Sequence, residues 1–182
     1  MENLLFENDE LLIRLANEND ESEAWAFRQE FIDEGVGVQG ASAINKMESF
    51  SRWLEVVAQY SNPQTVPNNF VPSTQFVTVR KSDGKIVGMV NVRHYLNDDL
   101  LFRGGHIGDC VRESERNKGY GTSQIALALE YCKTLGIDKV LITCSEDNIA
   151  SRRTIEKNGG VLENKIEVDG IVKLRFWIDL SN

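Results

Sequence analysis

The sequence predicts an α/β fold in which helices pack on a mixed sheet. Apolar residues recur at helical spacing in the first 60 residues and follow the two-residue period of strands from about residue 74. Beyond residue 118, two helical runs enclose a continuously apolar run, and a hairpin signal ends the chain. With 182 residues, of which 41% are hydrophobic and 26% charged, the chain has the composition of one globular domain, which we place at residues 1–182.

The first predicted elements are a short strand and two helices. The segment "LLIRL" (11–15) has strand character, and a helix is predicted over 19–32, where Asn19 or Asp20 offers a cap. A second, amphipathic helix is predicted over 44–60, because one helical face would carry Met47, Phe50, Leu54 and Val57. The following segment, "SNPQTVPNNFVPS", contains all three prolines and is predicted to be a loop.

Three strands are predicted in the middle of the chain. The runs "TQFVTVR" (74–80) and "KIVGMVNVRHYL" (85–96) flank an Asp-Gly pair at 83–84, which is a strong hairpin signal. After the loop "NDDLLFRGG", the run "HIGDCV" (106–111) has the alternation of a third strand.

The C-terminal part alternates helices and strands. The run 119–135 has apolar residues on two helical faces, which predicts burial between layers. The continuously apolar "KVLITCS" (139–145) is typical of a strand covered on both sides. A helix ended by glycine is predicted over "NIASRRTIEKNGG" (148–160), and the remaining residues predict a hairpin around an Asp-Gly pair at 169–170.

The charge pattern limits the classes of partner. The net charge is −8, which argues against general nucleic-acid binding. Residues 1–40 hold eleven acids and two arginines, a balance of −9, so the remaining 17 acids and 18 bases give +1. Two interpretations of this acidic segment stay open: a solvated helix face, or an acidic rim that attracts a cationic substrate.

No targeting or metal-binding pattern stands out in the sequence. No apolar stretch approaches the ~20 residues of a membrane span, and the acidic N-terminus lacks the basic region of a secretory signal. The three cysteines are an odd number, which indicates reduced thiols and a cytoplasmic protein. No cluster of His, Asp or Glu has metal-ligand spacing, so no metal is expected.

The segment "RNKGYGT" (116–122) carries the clearest signal for a ligand. A strand that enters a helix through a glycine-rich turn leaves amides unpaired at the positive end of the helix dipole, and this geometry binds phosphate. Gly119 and Gly121 would let a ligand approach the backbone closely. A Walker A loop needs lysine directly after its second glycine, and a dinucleotide fingerprint needs glycine where Gln124 stands, so neither pattern fits. A tight turn with surface cations is the plain structural alternative.

The pattern Arg116-x-x-Gly119-x-Gly121 resembles the phosphate-binding signature of the GNAT superfamily of N-acetyltransferases. The neighbouring strands, the helix at 148–160 and the order of elements from about residue 11 resemble that family too. Longer phrases such as "ASRRTIEKNGG" resemble a bacterial subgroup described as predicted acetyltransferases. The resemblance implies a GNAT-like domain with a mostly antiparallel central sheet that splays between two strands, helices on both faces, and acetyl-CoA as co-substrate.

The resemblance also implies cofactor contacts residue by residue. Val111 would bond the pantetheine arm, Arg112 would mark the end of the strand, and the turn would wrap the pyrophosphate. Arg152, Arg153 or Lys157 would either meet the ribose phosphate or be solvated surface charges. The full set of implied cofactor-binding residues is Val111, Arg112, Arg116, Asn117, Lys118, Gly119, Tyr120, Gly121, Thr122, Asn148 and Ser151.

The family pattern breaks at the acid that protonates the departing thiolate. Many members carry a tyrosine seven residues after the asparagine of the second cofactor helix, and this chain has Ile155 there. Ser151 would bond the sulfur instead, and Tyr95, Tyr120 and Tyr131 are further hydroxyl donors. Because a thiol has a pKa of about 8.5, the thiolate is a tolerable leaving group without a dedicated acid.

A base must take the proton of the attacking amine, since a lysine-like ammonium has a pKa near 10.4. We predict that His106 is this base or anchors a water relay, with a polar strand-end role as the alternative. His94 lies on the neighbouring strand, and Asp109 would point to the face opposite His106 in a regular strand. Cys110 is a poor candidate for a covalent nucleophile, because direct attack needs no acyl-enzyme.

The sequence therefore predicts an acetyl-CoA-dependent N-acetyltransferase acting on a primary amine of a small molecule or side chain by direct attack in a ternary complex. A non-catalytic acyl-CoA-binding sensor, motivated by Ile155, is the main alternative, and a degenerate nucleotide-binding loop is another. The expected partners are the amine acceptor and a second copy of the chain in a homodimer, which is common in the family; no nucleic-acid or membrane partner is expected.

Overall fold

A computed structural model describes residues 4–181 of the chain, and five of its strands form one antiparallel sheet in the order β1-β2-β3-β4-β5. Between β3 and β4 the chain reverses at the predicted Asp-Gly pair, where Gly84 has a φ of +74°. The strands are β1 (Leu5–Glu7), β2 (Leu11–Leu15), β3 (Ser73–Arg80), β4 (Ile86–Arg93) and β5 (Ile107–Val111).

Three further strands form a second antiparallel sheet in the order β6-β8-β7. The β7–β8 hairpin turns through Asp169 and Gly170, whose φ angles of +53° and +78° give the left-handed pair that a two-residue hairpin turn requires. The strands are β6 (Lys139–Ser145), β7 (Val161–Val168) and β8 (Ile171–Asp179).

Four α-helices pack on the sheets, and side chains at their ends explain where they start and stop. Before α1, Asn17 accepts from the Asn19 amide, and α1 stops at Gly35, which has a φ of +73°. Ser49 caps α2 by accepting from the Arg52 amide. The helices are α1 (Glu21–Glu34), α2 (Phe50–Ser61), α3 (Tyr120–Thr134) and α4 (Ile149–Lys157).

Three local features differ from the sequence prediction. The helix predicted from residue 44 forms only a 3-10 turn at Ile44–Lys46, and α2 begins at Phe50, because Ser49 supplies the cap. The short strand β1 was not predicted, and the loop before β5 contains a π turn at Leu100–Gly104.

The five-stranded sheet is covered on both faces, as the sequence predicts. On one face, α1 and α2 bury Phe27, Trp53 and Met89 in a first core. On the other face, α3 packs between the two sheets and buries Ile125 together with Phe176 of β8 in a second core. The apolar residues on two sides of α3 are explained by this position between layers.

The two sheets touch at the start of β5 and separate along it. The His106 amide donates to the Leu141 carbonyl at 2.7 Å, and the Leu141 amide donates back to His106 Nδ1 at 2.9 Å. A Cβ on Gly105 would lie 2.5 Å from the Leu141 carbonyl oxygen, so this approach needs glycine. β5 pairs with β4 alone along Ile107–Val111, and the predicted α/β fold with a splayed, antiparallel sheet is confirmed.

Candidate active site

The gap beside β5 exposes backbone groups of that strand. The Arg112 amide donates to the Val87 carbonyl of β4, so alternation directs the peptide groups of Asp109 and Val111 into the gap. The Val111 carbonyl is used by Arg116 Nε at 3.2 Å. The amides of Asp109 and Val111 are therefore the donors that the gap offers to a ligand.

The turn from β5 into α3 presents a run of free amides. The Arg116 amide donates to the Glu113 carbonyl and the Ser123 amide to the Gly119 carbonyl. Between them, six consecutive amides donate to no acceptor among residues 4–181. The last three of these amides belong to the first turn of α3, so the helix dipole adds positive potential there. The six amides, which we call the amide run, belong to Asn117, Lys118, Gly119, Tyr120, Gly121 and Thr122.

The backbone of the amide run curls through two left-handed residues. Asn117 has a φ of +64° and Gly119 a φ of +87°, and alternation of this kind forms concave anion-binding nests. The left-handed φ at position 119 requires glycine, whereas the packing around position 121 would accept a side chain. A Cβ on Gly121 would meet its nearest neighbour, Thr154 Oγ1, at an ordinary 3.6 Å.

The cationic side chains of the turn are held by carboxylates. Arg116 makes a two-bond ion pair with Glu34 at the end of α1, with distances of 2.5 and 2.7 Å. Lys118 Nζ lies 2.7 Å from Glu115. Hydrogen bonds from Lys118 and Lys85 lower the pKa of Glu115 to about 2. The anion-binding capacity of the turn therefore comes mainly from its amides.

Two of the predicted cofactor-binding residues direct their side chains away from the turn. Arg112 is buried beneath α1, where Nη2 lies 2.6 Å from Glu30 and Nη1 donates to the Ile86 carbonyl at 3.0 Å. Tyr120 is also buried, and its hydroxyl donates to Glu10 at 3.1 Å. Arg112 thus anchors the end of β5, and Tyr120 offers the site its amide only.

Helix α4 starts directly after β6, the strand whose Leu141 bonds to His106 at the start of β5. Asn148 caps the helix by accepting from the Ser151 amide at 3.0 Å. The Ser151 hydroxyl contacts the Cys144 thiol, where it opposes the burial that raises the thiol pKa. The three cations of α4 are exposed, and one of them, Arg152, pairs with Glu156. The exposed cations are Arg152, Arg153 and Lys157.

The position that often holds a tyrosine in the family is part of the core here. Ile155 is fully buried, and a Cβ on Gly160 would lie 2.5 Å from it. Tyr131 is occupied elsewhere, because its hydroxyl lies 2.7 Å from Thr74 on β3. Tyr95 is exposed after β4. None of these groups places a phenol in the gap.

His106, the predicted base, joins the two sheets instead of facing open space. Nδ1 accepts a hydrogen bond from the Leu141 amide, so the proton of the neutral ring is on Nε2. Neither ring nitrogen is therefore free to take a proton from a substrate. Burial, together with the charge of Arg93, lowers the pKa of His106 to about 4. This geometry favours a structural role. His94, the other histidine, lies 2.8 Å from Thr74 and lines a separate cavity of about 740 Å³.

Asp109 is the ionisable group beside the gap whose pKa lies nearest neutrality. Its side chain faces α3, as strand alternation predicts, and accepts from Gln124 Nε2 at 2.9 Å. Burial raises its pKa from 3.8 to about 6. The next residue, Cys110, packs on the α1/α2 side, and burial raises its thiol pKa far above neutrality, which disfavours a thiolate nucleophile.

A cavity of about 660 Å³ lies on the α1/α2 side of β4. Segment 37–47 forms one wall, and Asn91 and Arg93 of β4 line the opposite wall. A Cβ on Gly40 would lie 2.1 Å from the Gly108 carbonyl oxygen, so the wall segment rests directly on β5. Asn91 and Arg93 were not predicted from the sequence to be site residues. Their signal was a polar pair on one face of a strand otherwise buried on both.

The described residues contain few alternatives to this site. Residues 4–181 hold no group of three or more His, Cys, Asp or Glu arranged to bind a metal ion. Within the same residues, no helix combines the length and apolar character that a membrane crossing needs.

Comparison with known proteins agrees with this geometry. Residues 8–161 match the family model described as an acetyltransferase (GNAT) domain. No curated protein matches the chain. The chain is similar in fold to the ribosomal-protein-S5-alanine acetyltransferase of Vibrio fischeri, with a TM-score of 0.70, 15% identity, and 99% of this chain and 98% of that chain covered.

Two further similar structures were solved with bound ligands. RimJ of Mycobacterium smegmatis, in complex with CoA-disulfide, has a TM-score of 0.65 and 18% identity over 93% of this chain and 81% of that chain. The microcin C7 self-immunity acetyltransferase MccE, in complex with acetyl-CoA and AMP, has a TM-score of 0.64 and 18% identity over 94% and 93%. At these identities the structures speak for the fold alone, and the family model covers most of the chain: this protein belongs to the GNAT acetyltransferase family.

Proposed function

We propose that this protein transfers the acetyl group of acetyl-CoA to a primary amine by direct attack in a ternary complex. The amide run carries the proposal, because it offers a phosphate-sized concave site with no protein acceptor among the described residues. The pyrophosphate of CoA suits such a site, since backbone amides at a helix start bind phosphate without needing free cations.

The gap beside β5 supports the rest of the cofactor assignment. Donors from Asp109 and Val111 suit the amide groups of a pantetheine arm, and Asn148 and Ser151 lie at the start of α4. When bound, acetyl-CoA supplies an acetyl thioester. A free strand amide at the gap would stabilise negative charge that develops on the carbonyl oxygen.

The acceptor enters, in this proposal, from the cavity on the α1/α2 side. Its neutral nitrogen forms the new C–N bond as the C–S bond breaks, and the nitrogen then loses one proton. We assign Asp109 to receive that proton through water in the gap, since its side chain lies on the α3 side of β5 and does not line the acceptor cavity. Its carboxylate is available above pH 6, whereas Nδ1 of His106 already accepts from the Leu141 amide. The thiolate takes a proton from Ser151 or from water, because Ile155 offers none.

Acceptor identity in this proposal is limited to primary amines of small molecules or protein side chains and termini. One of the similar folds is named for action on a ribosomal-protein alanine, which makes a peptide amine one reasonable arm of a substrate panel. A homodimer and a cytoplasmic location stay predictions.

A non-catalytic acyl-CoA sensor is the second candidate, and the burial of Ile155 favours it. Both candidates predict CoA binding, and they differ in turnover. Calorimetric titration with CoA, ATP and NAD should show affinity for CoA well above that for the other two. Release of free thiol from acetyl-CoA should then depend on added amine in a panel of amino acids, polyamines, aminoglycosides and peptides.

The outcomes separate the candidates. Amine-dependent thiol release supports the acetyltransferase, and CoA binding without turnover on the whole panel supports the sensor. Equal affinity for ATP or NAD would overturn both and favour a nucleotide site.

A further inference from the structure

The acceptor cavity contains an arginine that lacks an acidic partner. Arg93 lies on β4, and its Nη1 donates to the Gly105 carbonyl at 3.2 Å. No carboxylate among residues 4–181 pairs with it, and burial alone lowers its pKa. A partly desolvated guanidinium without an anion is unfavourable in the free protein, and this cost is relieved when a ligand supplies the anion.

The free edge of Arg93 has the shape of a carboxylate site. With Nη1 bonded to Gly105, the Nε and Nη2 hydrogens have no acceptor among the described residues. These two N–H groups point the same way and form the fork that binds a carboxylate through two parallel hydrogen bonds. Arginine is therefore suited here to a planar anion.

The rest of the cavity wall agrees with an anionic ligand. Its charged side chains are Arg93, Lys46 and Asp99, and Asp99 is already paired with Arg103 at 2.6 Å. Lys46 is exposed at the rim and adds positive charge. The cavity therefore carries a net positive field, although the whole chain carries −8.

The position of Arg93 places this anion site next to the gap. Its Nη2 lies 3.3 Å from the position that a Cβ on Gly108 would take, and Gly108 directly precedes Asp109. The missing side chain at Gly108 leaves room for the guanidinium against β5. If acetyl transfer takes place at the gap, as proposed above, a small acceptor suffices to join the anion at Arg93 to the attacking nitrogen.

We propose, building on the acetyltransferase function above, that the acceptor is a small amine that also carries a carboxylate, which the Nε–Nη2 edge of Arg93 binds. A free amino acid has this chemistry, and a peptide N-terminus or a polyamine lacks it. The acidic-rim interpretation of the sequence, which favours a cationic acceptor, finds no support in this cavity.

The test compares acceptors that differ only in charge. Glycine, β-alanine and 4-aminobutyrate are each assayed against their amides, and phosphoethanolamine against ethanolamine, for kcat/KM with acetyl-CoA. Wild type should prefer at least one carboxylate over its amide by about tenfold or more, since hydrogen bonds to charged groups have this strength. In Arg93→Gln the preference should fall close to unity.

Controls separate a binding role from a structural one. Arg52→Gln removes an exposed guanidinium on α2 and should keep the wild-type preference. CoA affinity and thermal unfolding of Arg93→Gln should match wild type, and Arg93→Lys should restore part of the preference by charge alone. A preference that survives in Arg93→Gln, or its absence in wild type, overturns the proposal; a preference only for phosphoethanolamine replaces carboxylate with phosphate.

A second readout keeps the test independent of turnover. If no amine is acetylated, the acetyltransferase function fails, and the same acid and amide pairs are then compared by thermal shift of the CoA-loaded protein. A shift with the acids that is lost in Arg93→Gln supports the anion site even then, and equal shifts for acids and amides overturn it.

Discussion

The proposed cofactor side and the proposed acceptor side of β5 differ in how their arginines are paired. On the cofactor side, Glu30 and Glu34 of α1 neutralise Arg112 and Arg116, and free backbone amides remain. On the acceptor side, Arg93 has no carboxylate partner among residues 4–181. Carboxylates neutralise the arginines near the turn, where free backbone amides can bind a phosphate. The arginine in the cavity is not neutralised, and few other groups there could bind an anion.

This difference changes the meaning of the acidic N-terminal segment. The balance of −9 in residues 1–40 suggests an acidic surface, yet Glu23, Glu30 and Glu34 of α1 form ion pairs with arginines of other elements, Arg112 and Arg116. They fasten α1 to the end of β5 and to the turn before α3. The sign of a segment's charge thus does not give the sign of the field in the neighbouring cavity.

The largest effect on stability should follow from removing the ion pair between Glu30 and Arg112. In Glu30→Gln, the buried Arg112 loses its main carboxylate, so the free energy of unfolding should fall by about 3 kcal/mol. Burial raises the pKa of Glu30, but hydrogen bonds from Arg112 and Ser114 outweigh it and leave the pKa lowered. The pair therefore stabilises at neutral pH, and wild type should lose this stability as the pH falls below the ordinary glutamate range. Chemical denaturation between pH 3 and 7 measures the loss of stability in Glu30→Gln and the acid-induced loss in wild type.

Glu55→Gln is the matched control, because its partner Arg52 is exposed on α2. That change should cost no more than about 0.5 kcal/mol and should leave the acid limb intact. Equal losses in the two variants would mean that α1 does not depend on its pair with Arg112.

A smaller effect, confined to the proposed cofactor side, is expected for Gly119→Ala. Nothing lies within 4 Å of the added methyl, but Gly119 has a φ of +87°, which alanine adopts only with strain, so the curl of the amide run should open. CoA affinity should fall roughly tenfold, and the free energy of unfolding should fall by about 1 kcal/mol. Calorimetry with CoA measures the affinity, and thermal unfolding measures the stability.

Ser123→Ala, within the first turn of α3, serves as the control and should bind CoA as wild type does. Unchanged affinity in Gly119→Ala would remove the amide run from the phosphate site. A loss of stability well beyond about 1 kcal/mol would indicate altered helix geometry instead.

Most of the fold could be predicted because its signals are local. Strand β6 was predicted with its observed bounds, Lys139–Ser145, and both Asp-Gly hairpins formed where expected. The errors were local too. Ser49 starts α2 later than its apolar pattern suggests, since a cap depends on one hydrogen bond.

The candidate site was less predictable because side-chain direction depends on tertiary contacts. The turn after β5 was expected to bind phosphate, but the sequence did not indicate that Glu34 and Glu115 would form ion pairs with its cations. His106 follows two glycines, and its bond to the Leu141 amide depends on the meeting of two sheets distant in sequence. Arg93 was missed because an isolated arginine at a strand end resembles a surface charge.

The smallest effect concerns Asp109, which lies between the two sides. Burial raises its pKa from 3.8 to about 6, so the folded state binds more protons than the unfolded state between these values. The contribution of Asp109 to the free energy of unfolding should therefore fall as the pH rises through that window. Allowing for partial exposure, the fall should be about 1 kcal/mol, and Asp109→Asn should abolish it. Denaturant titrations at pH 4 and pH 7 measure the difference.

The same variant tests the proposed path of the proton. If Asp109 receives it, kcat in wild type should decline below about pH 6, and this acid limb should be absent in Asp109→Asn at a lower plateau rate. The exposed Asp98→Asn serves as the control and should keep both the limb and the rate. An acid limb that persists unchanged in Asp109→Asn assigns the titrating group elsewhere, and its disappearance in His106→Gln would return the role to that histidine.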